Sequence, residues 1–263
     1  MNPGRLRITH LFLLGITLSR AEAFYKDILG LEVFERAKNY ILFNSGGCIL
    51  GAQPNALGIP IDTSEFIIFE IFSDLDICIV NLKNRGIRFY ESSEEKKKGR
   101  VAWFSGPNHH LHCIRQVTPN YNGPIASISS LAPDPRLAYY FLAVDDLKVA
   151  ISFYREMLGL PLIETREGLY ALFNAGGIIL GLRQGKDAGA GVDAPSWAVF
   201  ETAHFDELYQ KLRQGDVNPL GVRTEPHGRV GWFLASGGYM QSLHDPEPEY
   251  ALDAIIKREP IFD

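Results

Sequence analysis

The sequence predicts an α+β chain of four strand–helix–strands modules, arranged as two repeated halves. Three observations carry that expectation. The stretch FNSGGCILGA at 43–52 returns as FNAGGIILGL at 173–182, with seven of ten letters identical. FYKDILGL (24–31) matches FYREMLGL (153–160), and GRVAWF (99–104) matches GRVGWF (228–233), always 129 or 130 residues on and in the same order. Within each half, apolar spacing switches between the strand period of two and the helix period of 3.6, twice over. The duplication therefore spans domains, at 1–118 and 136–263. VTPNYNGPIASISSLAPDP between them, rich in proline and turn asparagines, reads as a linker over 119–135.

The elements follow in order. ITHLFLLGI is a strand. Ser19 caps a helix whose apolar positions Phe24, Ile28 and Leu29 recur at helical spacing, and Gly30 closes it. NYILFN and GCILGA are strands, and PNALGIPIDTS is a loop. FIIFEIF opens a second module, whose helix runs from Ser73 to Gly86 and is followed by strands IRFYES, RVAWFS and HLHCIRQ. The second half repeats the pattern, from AYYFLAV through DDLKVAISFYREMLG, LYALFN, GIILGL, a glycine-rich loop, SWAVFET and FDELYQKLRQG to three last strands.

Composition narrows the class. Apolar residues make up 46% and charged residues 22% of 263, an ordinary globular balance. With 26 basic and 31 acidic side chains the net charge is −5, which argues against an extended nucleic-acid surface. EEKKKGR is balanced by its own glutamates. Cys48, Cys78 and Cys113 are too few and scattered for a disulfide framework and suit a reducing cytoplasm. The apolar run after the N-terminus is broken by Thr9 and His10, which predicts a strand and not a signal peptide. No stretch is apolar for the ~18 residues a membrane span needs. The expectation is a soluble, cytoplasmic monomer or homodimer whose partner is a small molecule, not nucleic acid or membrane.

The module order, with FY..(I/M)LGL after the first strand of each half, resembles the vicinal oxygen chelate superfamily of glyoxalase I, bleomycin-resistance proteins and extradiol dioxygenases. The resemblance implies that modules pair into half-open barrels with one cavity per pair, in the two-domain layout of the extradiol dioxygenases. It also implies metal ligands on the first and last strands of each module. In the first half those positions fall on His10, Gly51, Phe66 and Cys113; in the second, on Tyr139, Gly181, Trp197 and Ser242. Only His10 matches in kind, and the usual acidic ligand is missing. No metal or other cofactor is favoured. If a divalent metal is used, an irregular site would draw on His10 with Cys113, or with His112 if the register shifts by one, and Glu70. Glycine at 51 and 181 also frees volume for a ligand or an aromatic ring to approach the backbone.

Other residues recur between halves. Arg100 and Arg229 either hold an anion or act as turn arginines beside Trp103 and Trp232. Glu70 and Glu201 either bind ligand or support the scaffold. Tyr139, Tyr140, Phe141, Trp197 and Tyr239 make the second half aromatic, which suits stacking on a planar or hydrophobic ligand or packing in a core. His227 and His204 read as surface residues.

The favoured function is a binding or sequestering protein of the bleomycin-resistance type, with Phe66, Glu70, His112, Trp197, Glu201, Tyr239 and Ser242 as ligand contacts. The alternative is a lyase, isomerase or cyclase using His10 as acid or base with Cys113 or Tyr139 assisting. An extradiol-type dioxygenase is weaker, because it needs three strong ligands in one cavity.

Overall fold

The computed structural model describes residues 6–54, 65–95, 99–117, 135–185, 196–215 and 217–255. The expected linker, apart from its last residue, and the loops at 55–64 and 186–195 lie outside the described residues. The first module comprises β1 (Arg7–Leu14), α1 (Leu18–Ala21, widening into a π-helical turn at Glu22–Ile28), β2 (Glu32–Arg36), β3 (Ile41–Asn44) and β4 (Ile49–Gln53). The second comprises β5 (Phe66–Ile71), α2 (Leu75–Asn84), β6 (Phe89–Glu95), β7 (Gly99–Ser105) and β8 (Leu111–Gln116). The third comprises β9 (Arg136–Val144), α3 (Leu147–Ser152, with a π-helical turn at Phe153–Met157), β10 (Leu162–Arg166), β11 (Tyr170–Asn174) and β12 (Ile179–Gln184). The fourth comprises β13 (Ser196–Glu201), α4 (Phe205–Gln214), β14 (Asn218–Glu225), β15 (Gly228–Leu234) and β16 (Met240–Pro246), and a short α5 (Leu252–Ile255) follows. Four βαβββ modules are thus present.

Local chemistry differs from expectation at a few points. β2 and β10, with sequences EVFER and LIETR, carry no clear apolar alternation and were not evident in the sequence; each is a charged edge strand, the usual guard against edge pairing. The first helix starts after Thr17 rather than Ser19. Asp74 rather than Ser73 caps α2, its carboxylate accepting from the backbone of Asp76 and Ile77.

The sheets connect the halves. Sheet 1 has the order β14-β15-β16-β13-β1-β4-β3-β2 and sheet 2 the order β10-β11-β12-β9-β5-β8-β7-β6. The first module therefore joins the fourth, through antiparallel β1 and β13, and the second joins the third, through β5 and β9. The repeated halves remain sequence units, but neither builds a sheet by itself.

The repeated motifs explain this cross-pairing. The two FN.GG turns meet at the centre: Ile8 N donates to Ala175 O and Leu137 N to Ser45 O, each at 2.8 Å. A Cβ on Gly47 would lie 1.9 Å from the Gly177 carbonyl oxygen, and one on Gly177 would lie 1.5 Å from that of Gly47. Only glycine permits such backbone contact. The FY motif ties each half internally. Tyr25, raised off α1 by the π turn, shares a 2.9 Å hydrogen bond with His112 on β8. Its counterpart Tyr154 accepts a 2.7 Å bond from Gln241 Nε2 on β16. The helix side of both sheets shares one large apolar cluster, while each concave face keeps a small cluster of its own.

Candidate functional site

Pleating sorts each strand into core-facing and concave-facing residues. On sheet 1 the concave face carries His10, Phe12, Gly51, Trp197, Trp232, Ser242 and, towards one end, Arg7, Glu201 and His244. On sheet 2 the matching places hold Tyr139, Phe141, Gly181, Phe66, Trp103, Cys113, Arg136, Glu70 and Arg115. The residues expected to converge are thus divided. His10, Trp197, Glu201 and Ser242 share sheet 1; Phe66, Glu70, Cys113 and Tyr139 share sheet 2.

Two expected contacts point the other way. His112 lies in the core among Phe24, Phe69 and Phe104, its Nε2 with Tyr25 and its Nδ1 2.8 Å from the His110 carbonyl. Burial pushes its pKa down to about 3, so the ring is neutral. Tyr239 is also fully buried and donates to Ala143 O at 2.6 Å. Neither lines a concave face, because odd and even positions on β8 and on the strand leading into β16 face opposite sides. Cys113, not His112, faces the concavity, and it belongs to sheet 2 whereas His10 belongs to sheet 1.

The two glycines are covered by the chain's own rings. A Cβ on Gly51 would fall 2.4 Å from Phe12 Cδ1, and one on Gly181 would fall 2.3 Å from Phe141 Cε1. Phe12 stacks on Trp197 at 4.7 Å between centroids, and Trp197 meets Trp232 edge-on at 5.3 Å. In sheet 2, Phe141 stacks on Phe66 at 4.5 Å and Phe66 meets Trp103 edge-on at 5.2 Å. Each concave face is an aromatic wall, made twice by the same pattern.

The glutamates are clamped. Arg136 Nη2 donates to Glu70 Oε2 at 2.7 Å, and Arg115 donates both to Glu70 and, at 2.6 Å, to Tyr139 Oη. Glu201 accepts from Arg7 Nη2 at 2.6 Å and from the Leu252 amide at 3.0 Å, and Arg7 also reaches Asp253 at 2.9 Å. The C-terminal segment is thereby strapped over one end of sheet 1, with Leu252 packed among Phe34, Leu42 and Ile49. Arg100 and Arg229 hold first-turn aspartates of α2 and α4: Asp76 at 2.6 and 2.8 Å, and Asp206 at 2.8 and 3.1 Å. All four recurrent residues are thus engaged by other groups of the chain.

Sheet 1 differs from sheet 2 in its polar groups. His10 rests its Nδ1 3.1 Å from Thr9 Oγ1; desolvation, with His244 and His227 nearby, pushes its pKa down to about 3. His227, expected as an isolated surface residue, approaches His244 Nε2 at 3.2 Å. His244 follows Ser242 by two on β16, so parity alone could have placed it in the site. The Trp197 indole nitrogen and the Ser242 hydroxyl are buried with no hydrogen-bond partner. They are two of six such side-chain atoms among the described residues, and the two that share this face.

Fold and site together define a four-module βαβββ protein with two aromatic-walled concavities. Residues 136–240 match the family model described as the glyoxalase/bleomycin resistance protein/dioxygenase superfamily. Glyoxalase I from Zea mays is 15% identical, with a TM-score of 0.68 over 91% of this chain and 92% of that one. A candidate dioxygenase from Bacillus subtilis is 13% identical, with a TM-score of 0.68 over 96% of this chain and 90% of that one. No curated protein matches in sequence. Residues 136–240 thus carry the pattern of this superfamily, and the internal duplication repeats its motifs in the first half.

The superfamily's metal is a poor fit to the residues present. The ligand positions that share sheet 1 are His10, Gly51, Trp197 and Ser242, and those that share sheet 2 are Phe66, Cys113, Tyr139 and Gly181. Each set offers one strong soft or borderline donor at most. Among the described residues no three of His, Cys, Asp and Glu converge, and Glu70 is already held by two guanidiniums.

Proposed function

We propose that the protein binds a hydrophobic or aromatic small molecule on the concave face of sheet 1, without a metal. The observation that carries this reading is a pair of buried, unpartnered polar atoms, Trp197 Nε1 and Ser242 Oγ, set in a wall of Phe12, Trp197 and Trp232. Aromatic walls with a few converging polar groups are the usual composition of a small-molecule site. Sheet 2 has the same rings, but Glu70, Arg115, Arg136 and Tyr139 bond one another there, and its buried Arg183 Nε belongs to a guanidinium lying over Phe66 rather than to a neutral donor. His10, neutral down to about pH 3, supplies a hydrogen-bonding group rather than an acid, which favours holding over turnover.

Calorimetric titration with naphthalene tests this reading. Trp197→Ala should weaken binding by about 1–3 kcal/mol, the scale of losing a large apolar contact, while Phe66→Ala on sheet 2 leaves it unchanged. Loss through Phe66→Ala alone would move the site to sheet 2, and absence of binding to the native protein would remove the reading.

A further inference from the structure

The unpartnered pair on sheet 1 also restricts which small molecule fits, an inference that rests on the binding reading above. Val199 on β13 lies directly beside Ser242 on β16, and Ser242 lies directly beside Trp232 on β15. Trp197, two residues from Val199 on the same face, touches Trp232 edge to face. The hydroxyl and the indole nitrogen therefore occupy one contiguous patch. Gln241 and Leu243, on either side of Ser242, turn into the core, where Gln241 Nε2 bonds Tyr154.

The chemistry of these atoms is directional. An indole nitrogen only donates, and a serine hydroxyl also can donate. A donor withdrawn from water and left unpaired is costly, and a ligand atom that pairs with it recovers that cost. The flat surface beside them is already in use: the Phe12 ring lies on Trp197 with 29° between the planes, seated over Gly51. Phe12 has no polar atom, so it covers the indole ring without satisfying its N–H. The indole N–H lies in the ring plane, so a planar ligand taking the place of Phe12 at the same tilt supplies the missing acceptor through an atom that projects past the indole edge.

Charge narrows the class again. Arg7, the cation at the end of this face, is engaged by Glu201 and Asp253. Arg223 shares the face by register through Val230 and His244, but it is exposed on the edge strand, two strands from Ser242. An anion buried against Trp197 and Ser242 would be desolvated with no counter-charge beside it, an expensive arrangement.

We propose that the ligand is an uncharged planar aromatic molecule bearing a hydrogen-bond acceptor, such as a ring carbonyl, which replaces Phe12 on Trp197 and accepts from Trp197 Nε1 and Ser242 Oγ.

The test compares three flat probes by calorimetry on the full chain: naphthalene, which is apolar; coumarin, which adds an acceptor; and coumarin-3-carboxylate, which adds a charge. Coumarin should bind native protein about tenfold or more tighter than naphthalene, the scale of one buried hydrogen bond. The carboxylate should bind more weakly than coumarin. Ser242→Ala and Trp197→Phe should each reduce the coumarin advantage while leaving naphthalene affinity nearly unchanged. Phe12→Ala, which empties the seat, should tighten both neutral probes. Equal affinity for coumarin and naphthalene, with both weakened by Trp197→Ala, would overturn the acceptor proposal and leave the binding reading standing. A tighter carboxylate would overturn the uncharged class, and weaker binding by Phe12→Ala would overturn the replacement of its ring. Binding of neither neutral probe would remove the binding reading itself.

Discussion

Substitution of Gly51 by alanine tests whether this glycine exists to seat Phe12. An ideal Cβ at 51 lies 2.4 Å from Phe12 Cδ1, 2.5 Å from Cε1 and 3.0 Å from Cγ. Carbon atoms in contact prefer about 3.5–4.0 Å, so the ring must withdraw by more than ~1 Å. That motion separates it from Trp197, now 4.7 Å away. Overpacking of this kind costs about 1–3 kcal/mol. Alanine also returns about 0.5–1 kcal/mol through its lower backbone entropy in the unfolded chain. The net expectation is a loss of about 0.5–2 kcal/mol. In a Phe12→Ala background the clash is gone and only the backbone gain remains, so Gly51→Ala should then stabilise. Urea unfolding followed by circular dichroism, with unchanged m-values, measures all four corners of the cycle. The same sign in both backgrounds would refute the argument, since it would mean that the glycine answers to something other than the ring.

Further expectations concern the core and the clamps. Tyr25→Phe leaves His112 Nε2 without its partner in the core and should cost about 1–3 kcal/mol by chemical denaturation. His112 is neutral in the fold with a pKa near 3 but titrates normally once unfolded. The unfolded chain therefore takes up a proton first, and stability falls as pH drops from about 6.5 towards 3. At pH 5 this group contributes a loss of about 2 kcal/mol relative to pH 8, and His112→Gln should flatten that part of the stability profile. Glu70→Gln strands two buried guanidiniums and should cost about 3–5 kcal/mol; a small loss would return Glu70 to a ligand-binding role. Leu252→Ala should destabilise by about 2–3 kcal/mol and speed amide exchange in residues 248–254, where the strap crosses sheet 1.

Much of the architecture was legible because it is written in periods. Among the described residues, apolar alternation and helical spacing located fourteen of sixteen strands and the four module helices, and the duplicated motifs showed that the pattern occurs twice. The missing strands, β2 and β10, are edge strands whose polar residues obscure the period. The face a candidate residue takes was legible for some: His10, Trp197, Ser242 and Cys113 all face a concavity, whereas His112 and Tyr239 turn into the core. Their grouping was not. Sequence order suggested that His10 and Cys113 belong together, whereas β1 pairs with β13 and β5 with β9.

The sequence by itself determined the repeated βαβββ plan and the residue types at the positions where the superfamily pattern places its ligands, because each depends on residue type and spacing along one chain. It also contained the reason for two glycines that approach aromatic rings. Only the tertiary structure decided which strands share a sheet, that Phe12 and Phe141 are those rings, and that Glu70 and Glu201 are clamped rather than free. Such facts depend on contacts between segments more than a hundred residues apart, as at Ile8 with Ala175 and Phe12 with Trp197. A linear pattern specifies which face a side chain takes, but the three-dimensional packing specifies what stands opposite it.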